Sequence, residues 1–251
     1  MSAWVETASR HFTARHEERD DQDVEAVLDL LEDTRERVGP AFGTVPEEVT
    51  VVLHSSALEL DLAQPFLPIV RRLTTPAARR YVAGWPGRGA LHVLTPRLLA
   101  ERAANVEGSR EMLALTPAAL YVQLVVAECN PALPPPWSPR STARAARWAW
   151  LLAGAAQWFS GQTAHARPAI ARRLREGGRP DFPPSLRDAT LLGGTVVDLV
   201  AREEGAAAAV ALACALPRGG SREALVSVFH GRSIIHSEGA WRSHLARIAG
   251  R

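Results

Sequence analysis

Glu128 and Cys129 are side by side near the end of an apolar segment, and both are residue types that do chemistry. A carboxyl group whose pKa is raised by apolar surroundings can act as a general acid or base, and a thiol near a histidine can act as a nucleophile. In the competing structural interpretation, Glu128 ends a helix and pairs with an arginine of residues 140–147, and Cys129 is buried and inert. The structural interpretation is favoured, with Glu128 kept as the catalytic candidate.

Three histidines and one glutamate near the C-terminus form a second group that could do chemistry, namely His230, His236, Glu238 and His244. Imidazole and carboxylate groups are zinc ligands, but no two of these histidines have the i, i+4 spacing of a helical metal site. Ser237 resembles an N-cap with an acidic residue in the first turn, which indicates a helix start. His54 and His92 fall on predicted strands as structural histidines. We expect no metal ion and no cofactor.

The first 115 residues are predicted to form a lobe of mixed strands and helices. Residues 49–54 are a β-branched run, and residues 90–95 form a second strand. Apolar residues from Val24 to Val38 recur at helical spacing, which predicts a helix. Residues 71–89 are rich in Arg, Gly and Pro and are predicted to be a loop.

Residues 116–251 are predicted to be mainly helical, so the expected fold class is α+β. Residues 118–128 are almost wholly apolar and are predicted to form a buried helix. A proline-rich loop over residues 131–139 leads to a second central helix over residues 141–159. Three shorter helices are predicted near residues 206–216, 221–229 and 237–248.

A third long helix is predicted to begin at Ser185 in a capping box and to run to about Glu203. It contains the adjacent glycines Gly193 and Gly194, without the lysine and spacing of a phosphate-binding loop. Close packing against another helix is the better explanation of this pair. The two lobes, residues 1–115 and 116–251, are expected to form a single unit.

The order of these elements resembles the catalytic domain of zincin metallopeptidases, in particular the gluzincin-type peptidase MA-like proteins. The strongest local match is W-L-L-A-G-A-A-Q-W over residues 150–158. It is similar to the family's W-L-x-E-G-x-A-x-[WY] segment, on a helix that supplies a glutamate ligand. Residues 90–95 resemble the family's edge strand, and residues 117–130 resemble the helix that bears H-E-x-x-H. The resemblance implies a zincin-like α+β fold with a cleft between the sheet and the two helices.

The zinc ligands that the resemblance implies are missing from this sequence. A catalytic zinc needs about three protein ligands, commonly two histidines four residues apart, with a glutamate base beside the first. In the preferred register these positions hold Ala127, Glu128 and Pro131. In the alternative register they hold Val122, Gln123 and Val126. Ala153 replaces the glutamate ligand in both, so we expect no inherited zinc site.

Eight arginines lie within residues 137–180, at positions 140, 144, 147, 167, 172, 173, 175 and 179. Four tryptophans lie among them, at positions 137, 148, 150 and 158. Arginine with interleaved aromatic side chains can bind single-stranded nucleic acid. Because three of the tryptophans fall on the predicted buried helix, we favour core tryptophans with arginines that are solvated or paired with the acidic residues 17–36.

Composition excludes several classes for this chain of 251 residues. Its formal net charge of +2 is too small to indicate a nucleic-acid or membrane partner, although all 29 basic residues are arginine. Two cysteines exclude a disulfide framework. The longest apolar stretch, residues 205–216, is too short to span a bilayer, and no signal peptide is recognisable, so we expect a cytoplasmic protein without a membrane partner.

The expected function is that of a catalytically inactive metallopeptidase relative whose cleft binds a peptide or protein segment alongside residues 90–95. The residues predicted to lie in that cleft are Glu128, Asn130, Ala153, Gln157 and His92. Two alternatives stay open. One is a metal-independent hydrolase that uses Glu128, and the other is single-stranded nucleic-acid binding through residues 140–179.

Overall fold

Five strands form one mixed sheet in the computed structural model, which describes residues 3–250. The strands are β1 (Trp4–Ala8), β2 (Phe12–Glu17), β3 (Val49–His54), β4 (Gly84–Gly87) and β5 (Ala90–Leu94). Their order across the sheet is β1-β2-β3-β5-β4. The three central strands run parallel, and each outer strand is antiparallel to its neighbour. Together with the helices, this sheet confirms the predicted α+β class.

Helices surround the sheet and make up most of the second half of the chain. Those of the first half are α1 (Asp21–Phe42), α2 (Ala57–Ala63), α3 (Leu67–Leu73), α4 (Pro76–Arg79), α5 (Pro96–Arg102) and α6 (Ser109–Ala114). Those that follow are α7 (Thr116–Cys129), α8 (Pro139–Arg147), α9 (Ala149–Phe159), α10 (Gln162–His165), α11 (Arg167–Arg175), α12 (Leu186–Glu203), α13 (Ala206–Cys214), α14 (Ser221–Val228) and α15 (Ile234–Ala249). A 3₁₀ turn over Glu18–Asp20 precedes α1. Within residues 3–250, none of these helices is long and apolar enough to cross a bilayer.

The edge of the sheet next to the helical lobe is β4, and the prediction that residues 90–95 form this edge is wrong. β5 pairs with β3 on one side and with β4 on the other, so both of its edges are occupied. The prediction of a loop over residues 71–89 is also wrong, since this segment holds the end of α3, all of α4 and β4. The sequence Gly-Trp-Pro-Gly lacks the alternation typical of strands, and proline is tolerated only at a sheet edge.

Helix α7 is buried almost along its whole length, as its apolar sequence predicts. It packs against β4 and β5, and the alternate residues Leu91 and Val93 of β5 are buried. The ring of Tyr121 on α7 lies edge-on to Phe12 of β2, with 5.1 Å between the ring centroids. This contact joins the helical lobe to the sheet, and one apolar core runs through both.

The predicted single helix over residues 141–159 is two helices, α8 and α9. Trp148 lies between them with φ −107° and ψ 17°, outside the α-helical region. Its side chain is buried in the core. Ser138 caps α8 through reciprocal hydrogen bonds with Ser141, of 2.8 and 3.1 Å. The short α9 therefore carries the segment that resembles the glutamate helix of the metallopeptidases.

Helices α9 and α12 cross at glycines, which confirms the close packing predicted for Gly193 and Gly194. A Cβ atom on Gly193 would lie 2.4 Å from the carbonyl oxygen of Trp150, and one on Gly154 would lie 2.6 Å from that of Gly193. Helix α12 begins after Ser185, where the sequence predicts its start, but the Ser185 side chain makes no capping hydrogen bond. The glycine crossing brings the backbones of the two helices into direct contact.

Candidate apolar binding cleft

A cavity of about 450 Å³ lies between strand β4 and helices α3, α7, α8, α9 and α12. We call it the cleft. A volume of this size is within the range of small-molecule sites, about 300–1,000 Å³. Its position between the sheet edge and the helices α7 and α9 is where the metallopeptidase resemblance places a substrate cleft.

Helices α7 and α9 each present one face to the cleft. From α7 the lining residues are Thr116, Ala119, Leu120 and Gln123. From α9 they are Ala149, Leu152, Ala153, Ala156 and Gln157. Both sets follow the spacing of three, four and seven residues that places side chains on one side of a helix. The regular helical spacing thus defines two walls of the cleft.

Small side chains are the reason that the cleft is open. Seven of the lining residues on helices are alanines, namely Ala119, Ala145, Ala146, Ala149, Ala153, Ala156 and Ala189. A larger apolar side chain at these positions would occupy the space, as happens in ordinary cores, which are close-packed. On the strand side the wall is aromatic, with the rings of Trp85 and Trp137 4.5 Å apart between centroids and tilted by 30°. The lining contains no carboxyl, imidazole, thiol or guanidinium group.

Two of the glutamines that line the cleft are already hydrogen-bonded within the protein. Gln157 donates from its side-chain nitrogen to the Thr190 carbonyl and accepts a hydrogen bond of 2.8 Å from the Gly194 N–H. Gln162 donates to the Met112 carbonyl at 2.7 Å. The glutamines 157 and 162 are thus structural cross-links between elements.

Two polar residues of α7 differ in how far they are open to the cleft. The side chain of Thr116 is only 5% exposed, and its hydroxyl oxygen is buried without a hydrogen-bond partner in the described part of the chain. Gln123, two helical turns further along α7, adds a half-buried amide to the same wall. The Gln123 amide is the group that can orient a bound molecule.

The rim of the cleft is formed by apolar side chains that face solvent. Phe66, Ile69 and Leu73 on and before α3 are 62, 56 and 52% exposed, and Leu186 at the start of α12 is 39% exposed. All four line the cleft as well. Exposed apolar groups gathered at the rim of a cavity are typical of a binding site rather than of an ordinary surface.

The outer edge of β4 is closed to an additional strand. The indole N–H of Trp137 donates to the Pro86 carbonyl at 3.0 Å, and Pro86 itself has no N–H to offer. A peptide added alongside residues 90–95 is excluded as well, because β5 has neighbours on both sides. The expected peptide binding alongside residues 90–95 is therefore wrong for this sheet.

Of the five residues predicted for the cleft, Ala153 and Gln157 line it, whereas Glu128, Asn130 and His92 do not. Glu128 is exposed at the far end of α7. Helical geometry places it twelve residues beyond Thr116 and about 120° around the axis, off the lining face. Asn130 is buried and donates to the carbonyls of Val126 and Ala213, at 2.9 and 2.8 Å.

His92 lies on the sheet face opposite to its buried neighbours Leu91 and Val93, and it contacts another histidine. The Nδ1 atom of His92 is 3.1 Å from Nε2 of His54. Burial and the neighbouring His92 lower the pKa of His54 to about 4, and burial lowers the pKa of His92. The two rings form a neutral, stacked pair at the end of β3.

Neither predicted register of the H-E-x-x-H motif places all of its residues in the cleft lining. Two pairs of α7 lining residues are four apart, Thr116 with Leu120 and Ala119 with Gln123, and Ala153 lines the cleft from α9. None of these side chains is a usual zinc ligand, so the residues present do not fit a zinc ion. Glu128 of the preferred register lies in the last turn of α7, whereas the α7 residues that line the cleft lie in its first two turns.

Two of the histidines near the C-terminus contact different acidic residues. His230 contacts Glu204 at 3.1 Å, and His244 contacts Asp198 at 2.8 Å. Glu238 binds Arg179 and Arg242. Within residues 3–250 there is no group of three metal-ligating side chains. Ser237 is not the predicted N-cap, because α15 begins at Ile234 with Ser233 as its cap, and Ser237 is buried within the helix.

Three arginines of residues 137–180 form ion pairs, and none of their partners lies in residues 17–36. For these three arginines the expected pairing with residues 17–36 is wrong. Arg173 is buried and binds Asp188 through two hydrogen bonds of 2.5 and 2.8 Å. Arg172 pairs with Glu176 and Arg179 pairs with Glu238. The tryptophans at positions 148 and 150 are buried in the core, where no base can stack on them.

Sequence reasoning missed Trp85, Trp137 and the whole of α3 as parts of the cleft. The sequence signal that could have found the two tryptophans is their position next to prolines, at Trp85-Pro86 and after Pro134-Pro135-Pro136. Comparison of the chain with protein-family models, with curated proteins and with solved structures gives no match. The resemblance to metallopeptidases therefore rests on the order of the elements and on residues 150–158.

Proposed function

We propose that this protein is a non-catalytic binding protein that holds an apolar small molecule in the cleft between β4, α7, α9 and α12. The observation that carries the proposal is an open cavity of about 450 Å³ whose helical walls are built from alanines and whose rim is apolar and exposed. Natural cores rarely leave such space empty, since each void forfeits packing contacts. A cavity with an apolar entrance gains free energy when an apolar ligand fills it.

The chemistry of the lining supports binding rather than catalysis. General acid–base catalysis needs a titratable side chain near neutral pH, and nucleophilic catalysis needs an activated thiol, hydroxyl or amine. Tyr81 is the titratable residue of the lining, and its hydroxyl donates to Ser109 at 3.1 Å. Glu128, the candidate base of the alternative hydrolase, lies outside the cleft. We infer that a scaffold resembling that of metallopeptidases serves here as a binding protein without the metal.

The shape of the cleft favours a compact molecule over an extended peptide. Trp137 occupies the outer carbonyl of β4, so an extended chain finds no free strand edge to pair with. The amide of Gln123 provides a polar group within apolar walls. The ligand class proposed is therefore an apolar molecule that carries a hydrogen-bonding group.

The magnitude of binding can be worked out for a neutral probe such as N-phenyl-1-naphthylamine, whose fluorescence rises in apolar surroundings. Ligands of this size gain roughly 0.3–0.4 kcal/mol per non-hydrogen atom. About 17 such atoms give about 5–7 kcal/mol, which corresponds to a Kd between about 10 and 200 μM. This range is accessible to a direct fluorescence titration.

Two exposed isoleucines provide a matched test. Ile69 is 56% exposed and lines the rim, and Ile235 is 76% exposed on α15, outside the cleft. We expect one saturable site in the wild type, several-fold weaker binding in Ile69→Ser and unchanged binding in Ile235→Ser. If the probe shows no saturable signal, or if both variants weaken binding equally, the proposal is wrong.

A further inference from the structure

The two cysteines of the chain are brought together although they lie far apart in sequence. Cys129 ends α7 and Cys214 ends α13, and these two helices contact each other. The adjoining residues fix this arrangement, since Asn130 donates from its side-chain nitrogen to the carbonyl of Ala213 at 2.8 Å. Both thiols are free and half-buried, so a small molecule can reach them.

We propose that Cys129 and Cys214 form a reversible disulfide that links α7 to α13 when the protein meets an oxidised low-molecular-weight thiol. The site is independent of the cleft, because neither cysteine lines it. The chain has no other cysteine that could compete for the bond. Reversible disulfides of this kind occur in proteins that otherwise carry free thiols.

The reaction is a thiol–disulfide exchange in two steps. The thiolate of one cysteine attacks one sulfur of the small disulfide, forms a mixed disulfide and releases one small thiolate, which takes up a proton. The other cysteine then loses its proton and attacks the protein sulfur of the mixed disulfide, and the second small thiolate leaves and takes up that proton. The two protein thiols lose two electrons and two protons in total, and the small disulfide gains them as two thiols.

The reaction should depend on pH, because the thiolate is the attacking species. Burial and the adjacent Cys129 thiol raise the pKa of Cys214 to about 12. The exchange should therefore speed up as the pH rises.

The test treats the folded wild-type protein with oxidised glutathione, blocks the remaining thiols with an alkylating reagent and measures the intact mass. We expect the wild type to lose both alkylatable thiols without retaining glutathione. Each single variant, Cys214→Ala or Cys129→Ala, should keep one glutathione on its remaining cysteine. A reductant should restore both wild-type thiols. The same treatment in urea should close the disulfide at least about ten-fold more slowly, because the folded protein holds the two thiols at a high effective concentration.

The thermal midpoint of unfolding gives a second readout on the wild type alone. A disulfide that closes a long loop restricts the unfolded chain, so the oxidised protein should unfold at a higher temperature and lose this gain on reduction. The proposal is overturned if the folded wild type keeps two alkylatable thiols, if it accumulates mixed disulfide without closing, or if urea does not slow the reaction.

Discussion

The glycine crossing of α9 and α12 predicts that Gly193→Ala destabilises the protein. The new Cβ atom would lie 2.4 Å from the carbonyl oxygen of Trp150 and 2.8 Å from the backbone nitrogen of Gly154, whereas ordinary contacts begin at 3.4 Å. Both obstructing atoms belong to the backbone of α9, so a side-chain rotation cannot relieve the clash. The two helices must separate by about 1 Å, which places the substitution among the costly cases of overpacking.

The net effect on the free energy of unfolding follows from two opposing contributions. Overpacking costs about 1–3 kcal/mol, and alanine in a helix gains about 1 kcal/mol over glycine. Because backbone meets backbone here, we take the upper part of the first range and expect a net loss of about 1–2 kcal/mol. For a chain of this length the thermal midpoint should fall by about 2–8 °C.

Gly239→Ala is the matched control for this substitution. Gly239 lies within α15, and a Cβ atom built on it meets nothing within 4 Å. We expect this variant to be more stable than the wild type by about 0.5–1 kcal/mol. Urea unfolding followed by circular dichroism measures both variants. The account of the crossing would be refuted if Gly193→Ala were as stable as the wild type, or if both variants changed stability in the same direction.

Three further predictions concern the histidine pair, the buried ion pair and three residues that line the cleft. The pKa of His54 is about 4 in the folded protein and 6.5 when unperturbed, so the unfolded state binds more protons between these values and stability should fall by about 3 kcal/mol as the pH drops through them. Urea unfolding at pH 7 and at pH 4.5 measures this loss of stability. The loss should be smaller in His54→Asn and unchanged in the control His236→Asn; an equal loss in the wild type and in His54→Asn would contradict the prediction. Asp188→Ala leaves the buried Arg173 guanidinium without its partner and should cost about 3–5 kcal/mol, whereas Glu176→Ala on the exposed neighbouring pair should cost less than about 1 kcal/mol in the same unfolding assay; comparable losses would show that burial of the pair does not matter. Ala119→His, Gln123→His and Ala153→Glu combined should create a zinc site measurable by calorimetry, because all three positions line the cleft and the two histidines are four apart on one helix; no zinc binding by the folded triple variant would argue against the metallopeptidase resemblance.

The parts of the fold that depend on strong local signals could be predicted from the sequence. The unbroken apolar run of α7 specifies a buried helix wherever it packs, and adjacent glycines in α12 specify a close approach of another backbone. The β-branched run of β3 likewise defines a strand. In each case the residue types carry the information within a few positions of the chain.

The cleft could not be predicted in the same way, because its features depend on tertiary contacts. Alanine is a good helix former in any environment, so the alanines of α8 and α9 do not reveal that they surround a void. The short β4 forms because β5 offers it a partner, and its own sequence carries no strand pattern. The motif register alone places Glu128 in the cleft. Which face of α7 meets the cleft depends on tertiary packing, and Glu128 lies in the last turn of the helix.

The most direct test of the proposed function is to fill the cleft with a side chain. Ala153 lines it and is partly exposed to it, while Ala143 lies on the exposed side of α8 and serves as the control. Equilibrium titration with N-phenyl-1-naphthylamine should give at least about ten-fold weaker binding in Ala153→Phe, at an unchanged or higher thermal midpoint, because the ring occupies the ligand's space. Ala143→Phe should bind as the wild type does. Wild-type affinity in a folded Ala153→Phe would contradict the account.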